Sequence, residues 1–459
     1  MKAVLSMRLP ALLSILALVA CAPADLSVSK GTLGADLVAP AGPMLSFPAA
    51  SGLTPSRSND QIAMDFLDLE FHMESGQSLP VLTRFDGPIS IALTGNVPPT
   101  ARADLQKLIT RLRAEAGIDL LITSAPANLT VEFAPKAALR RFEPTAACYV
   151  VPNVSSLQEY RARRGTVAVD WTRLTHRTRA AIFIPSDTSP QEVRDCLHEE
   201  VAQALGPLND LYRLPDSVFN DDNFQSVLTG FDMLMLRLHY APEFANGMSE
   251  AQVAAQLPAL LARLNPAGEA GAGWTAPDTP RVWLDAVATA LGPNATGDER
   301  LNAAHQMLAM AQQQGWQDNR LGFAYYALGR QLAPHDPVAA QSAYAEAARV
   351  YAALPDGGVH LAQALMQLAA LDLAYGQPDA AISTVDQALP KAQLSQNAAL
   401  LATLMMIKAE GLTQLGRDAE AQALRLDSLP AARYGFGNDP QVRARAAEIA
   451  SLGRRGPNG

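Results

Sequence analysis

The sequence predicts a mixed α+β domain followed by an all-helical one. Three observations carry this reading. From residue 59 to about 266, short alternating apolar runs interleave with helical patterns; a Gly-rich stretch without periodicity then spans 267–277; from Thr279 onward an alanine-rich helical pattern runs almost unbroken. At 459 residues the chain is long enough for more than one core, and with 49% hydrophobic and 18% charged residues its composition is that of a folded globular protein.

In chain order, residues 1–20 form a basic start and an apolar stretch, too short to span a bilayer and suited to an export signal. The stretch ends in Leu18-Val19-Ala20-Cys21, which is similar to the lipobox of bacterial lipoproteins. That resemblance implies cleavage before Cys21, acylation of its sulfur and anchoring in the cell envelope, facing the periplasm. Asp25 lies beyond the position after Cys21, which favours the outer over the inner membrane by the enterobacterial sorting rule. Residues 21–58, broken by Pro23, Pro40, Pro43, Pro48 and Pro55, read as lipidated cysteine plus flexible tether.

The α+β domain is expected over 59–266. Asn59 is a candidate N-cap for a helix carrying Ile62, Phe66, Leu69 and Met73. Ile89, Ile91 and Leu93 alternate as a strand does; Leu105, Leu108, Ile109 and Leu112 mark a second helix ending near Gly117. Further strands are expected at 118–123, 129–133 and 180–184. Ser189-Pro190-Gln191-Glu192 is a capping box with proline at the first helical position, so a helix should run to Leu205, where Gly206-Pro207 stops it. Residues 267–278 form the linker.

Residues 279–459 should be helical hairpins. Similar turns recur at Asp336, Asp379 and Asp418, each followed by an Ala-rich helix. The stretch LAALDLAYGQPDAAISTVDQAL resembles a tetratricopeptide unit, with looser copies on either side. That likeness implies a solenoid whose concave face binds a protein or peptide partner.

The net charge of −9 becomes more negative once Lys2 and Arg8 leave with the signal, and no basic stripe stands out; nucleic acid and anionic lipid are poor partners. With Cys21 acylated, Cys148 and Cys196 remain, and an even pair in an exported chain reads as one disulfide. No phosphate-binding loop, Gly-x-Ser-x-Gly elbow or Cys-x-x-Cys is present.

One segment could carry chemistry: CLHEEVAQALGPLND, residues 196–210. Glu199 and Gln203 stand one turn apart on a helix, with Glu200 beside them. Aligned on Gly206, the segment resembles the metzincin zinc-protease motif, with Glu199, Gln203 and Asn209 in the three ligand places and Glu200 in the place of the general base. DSVFNDDNF sits where such domains carry their Met-turn, with Phe219 at the methionine position. LTGFDMLMLRLHY resembles their closing helix, Asp232 and Tyr240 included. The likeness covers about 59–245 and implies a zincin-like fold. It also departs from the pattern, because every histidine place holds an oxygen donor and zinc prefers imidazole or thiolate. His198 precedes the first ligand place and points about 100° away on a helix.

The combination Cys…Cys-x-His-Glu-Glu-x-x-Gln-x-x-Gly-x-x-Asn-Asp with Ser-Val-Phe-Asn-Asp resembles an uncharacterised family of proteobacterial putative lipoproteins, domain of unknown function 2927. The expectation is a non-catalytic pseudo-metalloprotease scaffold without metal or other cofactor, in which Glu199, Glu200, Gln203, Asn209 and Asp210 form a buried polar network. The alternatives are a metal-dependent peptidase or hydrolase with Glu200 as general base, and an envelope glycan-binding or maintenance module.

Overall fold

The computed structural model describes residues 42–47, 55, 57–270 and 278–452. The signal segment, Cys21, most of the expected tether and most of the Gly-rich linker lie outside them.

The first half is built on a five-stranded sheet: β1 (Ile89–Gly95), β2 (Leu120–Ile122), β3 (Leu129–Ala134), β4 (Tyr149–Pro152) and β5 (Ala180–Pro185), in the order β2-β1-β3-β5-β4. All pairings are parallel except β4 on β5, where Val150 faces Ile182. Every residue of β5 is buried, as a strand covered on both faces requires. Its alternation sends Ala180, Ile182 and Ile184 into the main core and Ala181 and Phe183 into a smaller aromatic cluster with Tyr160 and Leu139.

Around the sheet lie α1 (Asn59–Phe71), α2 (Ala101–Arg111, continued by a π-helical turn), α3 (Lys136–Leu139), α4 (Leu157–Arg163), α5 (Pro190–Leu205), α6 (Gly230–His239), α7 (Glu250–Ala254) and α8 (Leu257–Leu264). The expected α+β pattern is present, with two local differences. The N-cap of α1 is Ser58, whose hydroxyl accepts from the Gln61 amide, while Asn59 turns inward to donate to the Asn265 carbonyl. β4 escaped the sequence reading because it is four residues long, ends in proline and lies on the sheet edge.

From 281 onward the chain is helical: α9 (Arg281–Leu291), α10 (Gly297–Gln313), α11 (Asn319–Leu332), α12 (Pro337–Ala353), α13 (Gly358–Ala374), α14 (Pro378–Leu394), α15 (Ala398–Gln414), α16 (Asp418–Phe436) and α17 (Asp439–Leu452). Each helix packs on its neighbours in sequence. The repeat is visible in the turns. Gly376 and Gly416 both take positive φ, +69° and +72°, where a side chain would be strained. The following helices α14 and α16 each carry proline at their thirteenth residue, Pro390 and Pro430. Small residues set the close approaches: a Cβ on Gly329 would fall 2.9 Å from the Tyr344 ring.

The face formed by α11, α13 and α15 is covered by the first half of the same chain. Asn319 donates to the Tyr212 carbonyl, His360 meets Asp222, and Asn397 binds Gln191; all three helix residues are fully enclosed. Tyr212 and Phe224, from the loop after α5, belong to the core of the helical half. The N-terminal ends of α11, α13 and α15 are thus engaged by the chain's own first half. Within the expected tether, residues 42–47 also make defined contacts. Leu45 donates to the Pro430 carbonyl, Lys107 binds Ser46, and the Phe47 ring lies against Arg194 and Tyr434.

Candidate functional site

Helix α5 forms where the sequence places it. The Ser189 side chain accepts from the Glu192 amide, Pro190 occupies the first turn without wasting a donor, and Gly206 ends the helix. Cys196, in its second turn, is bonded to Cys148 just before β4, with the Cα atoms 6.0 Å apart. The disulfide therefore ties the motif helix to the antiparallel edge of the sheet.

The loop between α5 and α6 is held from within. Asp232, in the first turn of α6 and fully buried, accepts from the Ser217 hydroxyl at 2.6 Å and from the Val218 and Thr229 amides. Phe219 sits at 0% exposure beneath it, and Tyr240 donates to the Leu205 carbonyl at 3.0 Å. Of the three residues singled out in the turn and closing helix, Asp232 thus ties the loop to the start of α6, and Tyr240 ties the end of α6 to the motif helix.

The five motif residues do not make the single network expected of them: among the described residues, no hydrogen bond joins any two. Asn209 spends its carboxamide N–H on the Asp68 carbonyl at the end of α1, at 2.9 Å. Gln203 contributes its backbone carbonyl to the buried Arg177, which also binds the carbonyls of Ala204 and Gly206 and so closes the C-terminal end of α5. His198 points the other way: its Nδ1 accepts from the Leu228 amide, and it lines a cavity of about 360 Å³ beside Asp104 and Tyr434.

What the structure gathers instead is a set of carboxyl groups, Glu199, Glu200 and Asp210 together with Glu74 and Asp221. Burial pushes the Glu199 carboxyl up to about 8, helped by the charges of Asp221 and Glu74. Glu200, 3% exposed and without a hydrogen bond on Oε2, is raised well above its ordinary value by burial and then by Glu199. Asp210 is raised likewise by burial and by the charge of Glu74. Asp221, although solvent-exposed as a residue, rises to about 7 through desolvation of its carboxyl among these neighbours and through Glu74, while the Tyr212 hydroxyl donates to it at 3.0 Å. Glu199, Glu200 and Asp210 therefore hold protons rather than charge around neutrality. Asp221 stood within the quoted DSVFNDDNF; Glu74, in the turn after α1, gave no signal in the sequence.

Zinc does not fit the motif as built. Its three ligand places hold oxygen donors, and the carboxamide of the third, Asn209, is turned to the α1 carbonyl. Among the described residues, no group of three or more His, Cys, Asp or Glu side chains is placed to hold a metal ion.

Residues 59–259 match the model of a family described as protein of unknown function (DUF2927). No curated protein and no solved structure matches the chain. The matched segment contains α5, both cysteines of the disulfide, the 206–229 loop and α6, and it belongs to that family of unknown function.

Proposed function

We infer that the chain is a non-catalytic, membrane-anchored scaffold of the bacterial envelope, held by lipid on Cys21, with a zincin-like first domain and tetratricopeptide-like helices that bind a protein or peptide partner. The order of elements supports the zincin-like reading: a sheet, then the motif helix, a tight loop closed by Asp232, and a final helix. One observation carries the non-catalytic reading, the replacement of all three histidine places by the oxygen donors Glu199, Gln203 and Asn209; the Asn209 amide also anchors that place to the Asp68 carbonyl. Because α11, α13 and α15 face the chain's own loop, a partner would meet the surfaces of α12, α14 and α16 or the junction between the halves.

A second reading, a hydrolase using Glu200 as base, draws on the unpartnered Oε2 of that residue. Against it, a carboxyl held protonated near neutrality is a poor proton acceptor there. Elemental analysis and peptide-cleavage assays on untagged, zinc-supplemented protein separate the two. The scaffold reading expects zinc far below one per chain and no cleavage. One zinc per chain, with cleavage abolished in Glu200→Gln, would establish the hydrolase. Fractionation of Cys21→Ser tests the anchor: the variant should leave the membrane, and unchanged retention would remove the lipid from the proposal.

A further inference from the structure

Residues 42–47 lie as a strap across a groove where α2 and α5 of the first half meet α16 of the second. The Leu45 amide donates to the Pro430 carbonyl of α16 at 2.9 Å. Lys107 of α2 donates to the Ser46 hydroxyl at 2.9 Å and to the Phe47 carbonyl at 3.3 Å. The Phe47 ring meets the Tyr434 ring edge-on at 6.3 Å, and the Arg194 guanidinium of α5 stands over it at 5.2 Å, within cation–π range. Met44, Leu45 and Phe47 also pack on the apolar core of the helical half.

The floor of the groove is held by bonds that do not involve the strap. The Tyr434 hydroxyl donates to Asp104 Oδ2 at 3.0 Å and so links α16 to α2. Arg194 donates to the Gln396 carbonyl at 2.8 Å and so links α5 to the turn before α15. Asp104, Arg194 and Tyr434 are all buried, whereas none of the six strap residues is, and Pro43 and Ser46 are exposed. Between strap and floor remains the cavity of about 360 Å³, walled by Met44–Phe47 on one side and by Leu108 and His198 among others on the other. The strap is therefore a short, half-buried segment on a preformed surface that it does not fill. Few buried contacts put such a segment at the low end of local stability. A groove already held in shape receives a competitor with little ordering cost of its own.

We propose that this groove is a peptide-docking site whose resident occupant is the chain's own 42–47 segment, and that an extended aliphatic–hydroxyl–aromatic segment of a partner protein, of the Leu-Ser-Phe kind, takes its place. The groove reads three successive positions: an aliphatic residue whose amide meets the Pro430 carbonyl, a hydroxyl within reach of Lys107, and a ring for Arg194 and Tyr434. The site deepens the scaffold reading, on which it rests for the existence of a natural partner, by naming where that partner docks and what it presents. The test uses a peptide copied from this chain, so its failure removes the groove and leaves the surfaces of α12 and α14 open to a partner.

Fluorescence anisotropy of a labelled hexapeptide copying residues 42–47, Gly-Pro-Met-Leu-Ser-Phe, with the full mature chain tests it. Leu45→Gly with Phe47→Gly strips the strap of two anchoring side chains. The peptide should bind this double variant at one site with a Kd of about 1 mM or tighter, and about tenfold more tightly than it binds the parent, whose own strap competes. Phe47→Ala alone should show the same preference to a smaller degree, and it keeps the test open if the double variant fails to fold. Adding Lys107→Ala, an exposed position, should weaken binding about threefold or more. The hexapeptide with glycine in place of leucine and phenylalanine should not bind. Absence of binding to both strap variants, equal affinity for parent and variants, no effect of Lys107→Ala, or binding of the glycine peptide would each overturn the proposal. A parent dimer that becomes monomeric in the double variant would seat the strap in a second copy and overturn the assignment to a partner protein.

Discussion

Asp222 Oδ2 stands 2.7 Å from His360 Nε2, both side chains fully enclosed, and so joins the loop after α5 to helix α13. The same carboxylate oxygen accepts from Asn319 Nδ2 at 2.8 Å, and Oδ1 accepts from the Phe224 amide at 3.0 Å. The Phe224 ring meets the His360 ring edge-on at 5.1 Å. One carboxylate thus binds its own loop and two helices of the other half, inside a shared apolar core.

Removing that carboxylate should be costly. Asp222→Ala leaves His360 and Asn319 with unsatisfied buried donors, a class of change that costs about 3–5 kcal/mol when a buried pair is broken. Asp222→Asn, which keeps an acceptor, should cost less. Urea denaturation of the mature chain measures both. A loss below about 0.5 kcal/mol for the alanine variant would mean that the pair does not hold the halves together.

The halves should not separate cleanly either. Deleting 279–459 strips the cover from Tyr212 and Phe224 and leaves Gln191, Arg194 and Asp104 without Asn397, the Gln396 carbonyl and Tyr434. The expected outcome is an aggregating fragment that binds hydrophobic dyes. A monomeric 57–270 fragment with one sharp cooperative melt would show that the first half needs no helical partner.

How much of this was legible follows from where each signal lies. The α5 cap, the Gly376 and Gly416 turns and the single disulfide are written in local patterns or in cysteine parity. The covering of the N-terminal ends of α11, α13 and α15 was hidden, because no local pattern marks Asn319, His360 and Asn397 for burial, and each is bonded to a partner more than 95 positions away. For the same reason the motif read as a ligand set or a local network. Asn209 is satisfied by Asp68, and Asp210 is perturbed by Glu74, both far from the motif in sequence.

The Cys148–Cys196 bond should contribute stability that disappears on reduction. With 48 positions between the cysteines, the chain-entropy model gives about 4 kcal/mol, and native strain usually lowers the measured figure. Both cysteines are nearly buried, at 9% and 3% exposure, so the folded protein should resist mild reductant. Denaturation of the Cys148→Ser, Cys196→Ser variant against the oxidised parent checks the magnitude. Free thiols in natively isolated, alkylated protein would remove the basis for the prediction.

The carboxyl cluster should make stability fall as pH rises. In the unfolded chain these carboxyls ionise near 4, whereas in the folded protein Glu199 holds its proton to about 8, Asp221 to about 7, and Glu200 and Asp210 well above their ordinary range. Above pH 4.5 the unfolded state therefore binds fewer protons than the folded one, so each step up in pH favours unfolding until the folded groups also ionise. Glu200→Gln removes one such group and, with Oε2 unpartnered, breaks no hydrogen bond on that oxygen. The variant should match the parent at pH 4 and exceed it at pH 8 by about 1–3 kcal/mol, the scale of an unsatisfied buried polar group. Denaturation curves at the two pH values decide the matter. A variant less stable than the parent at pH 8 would mean that the carboxylate has a partner worth more than its burial costs.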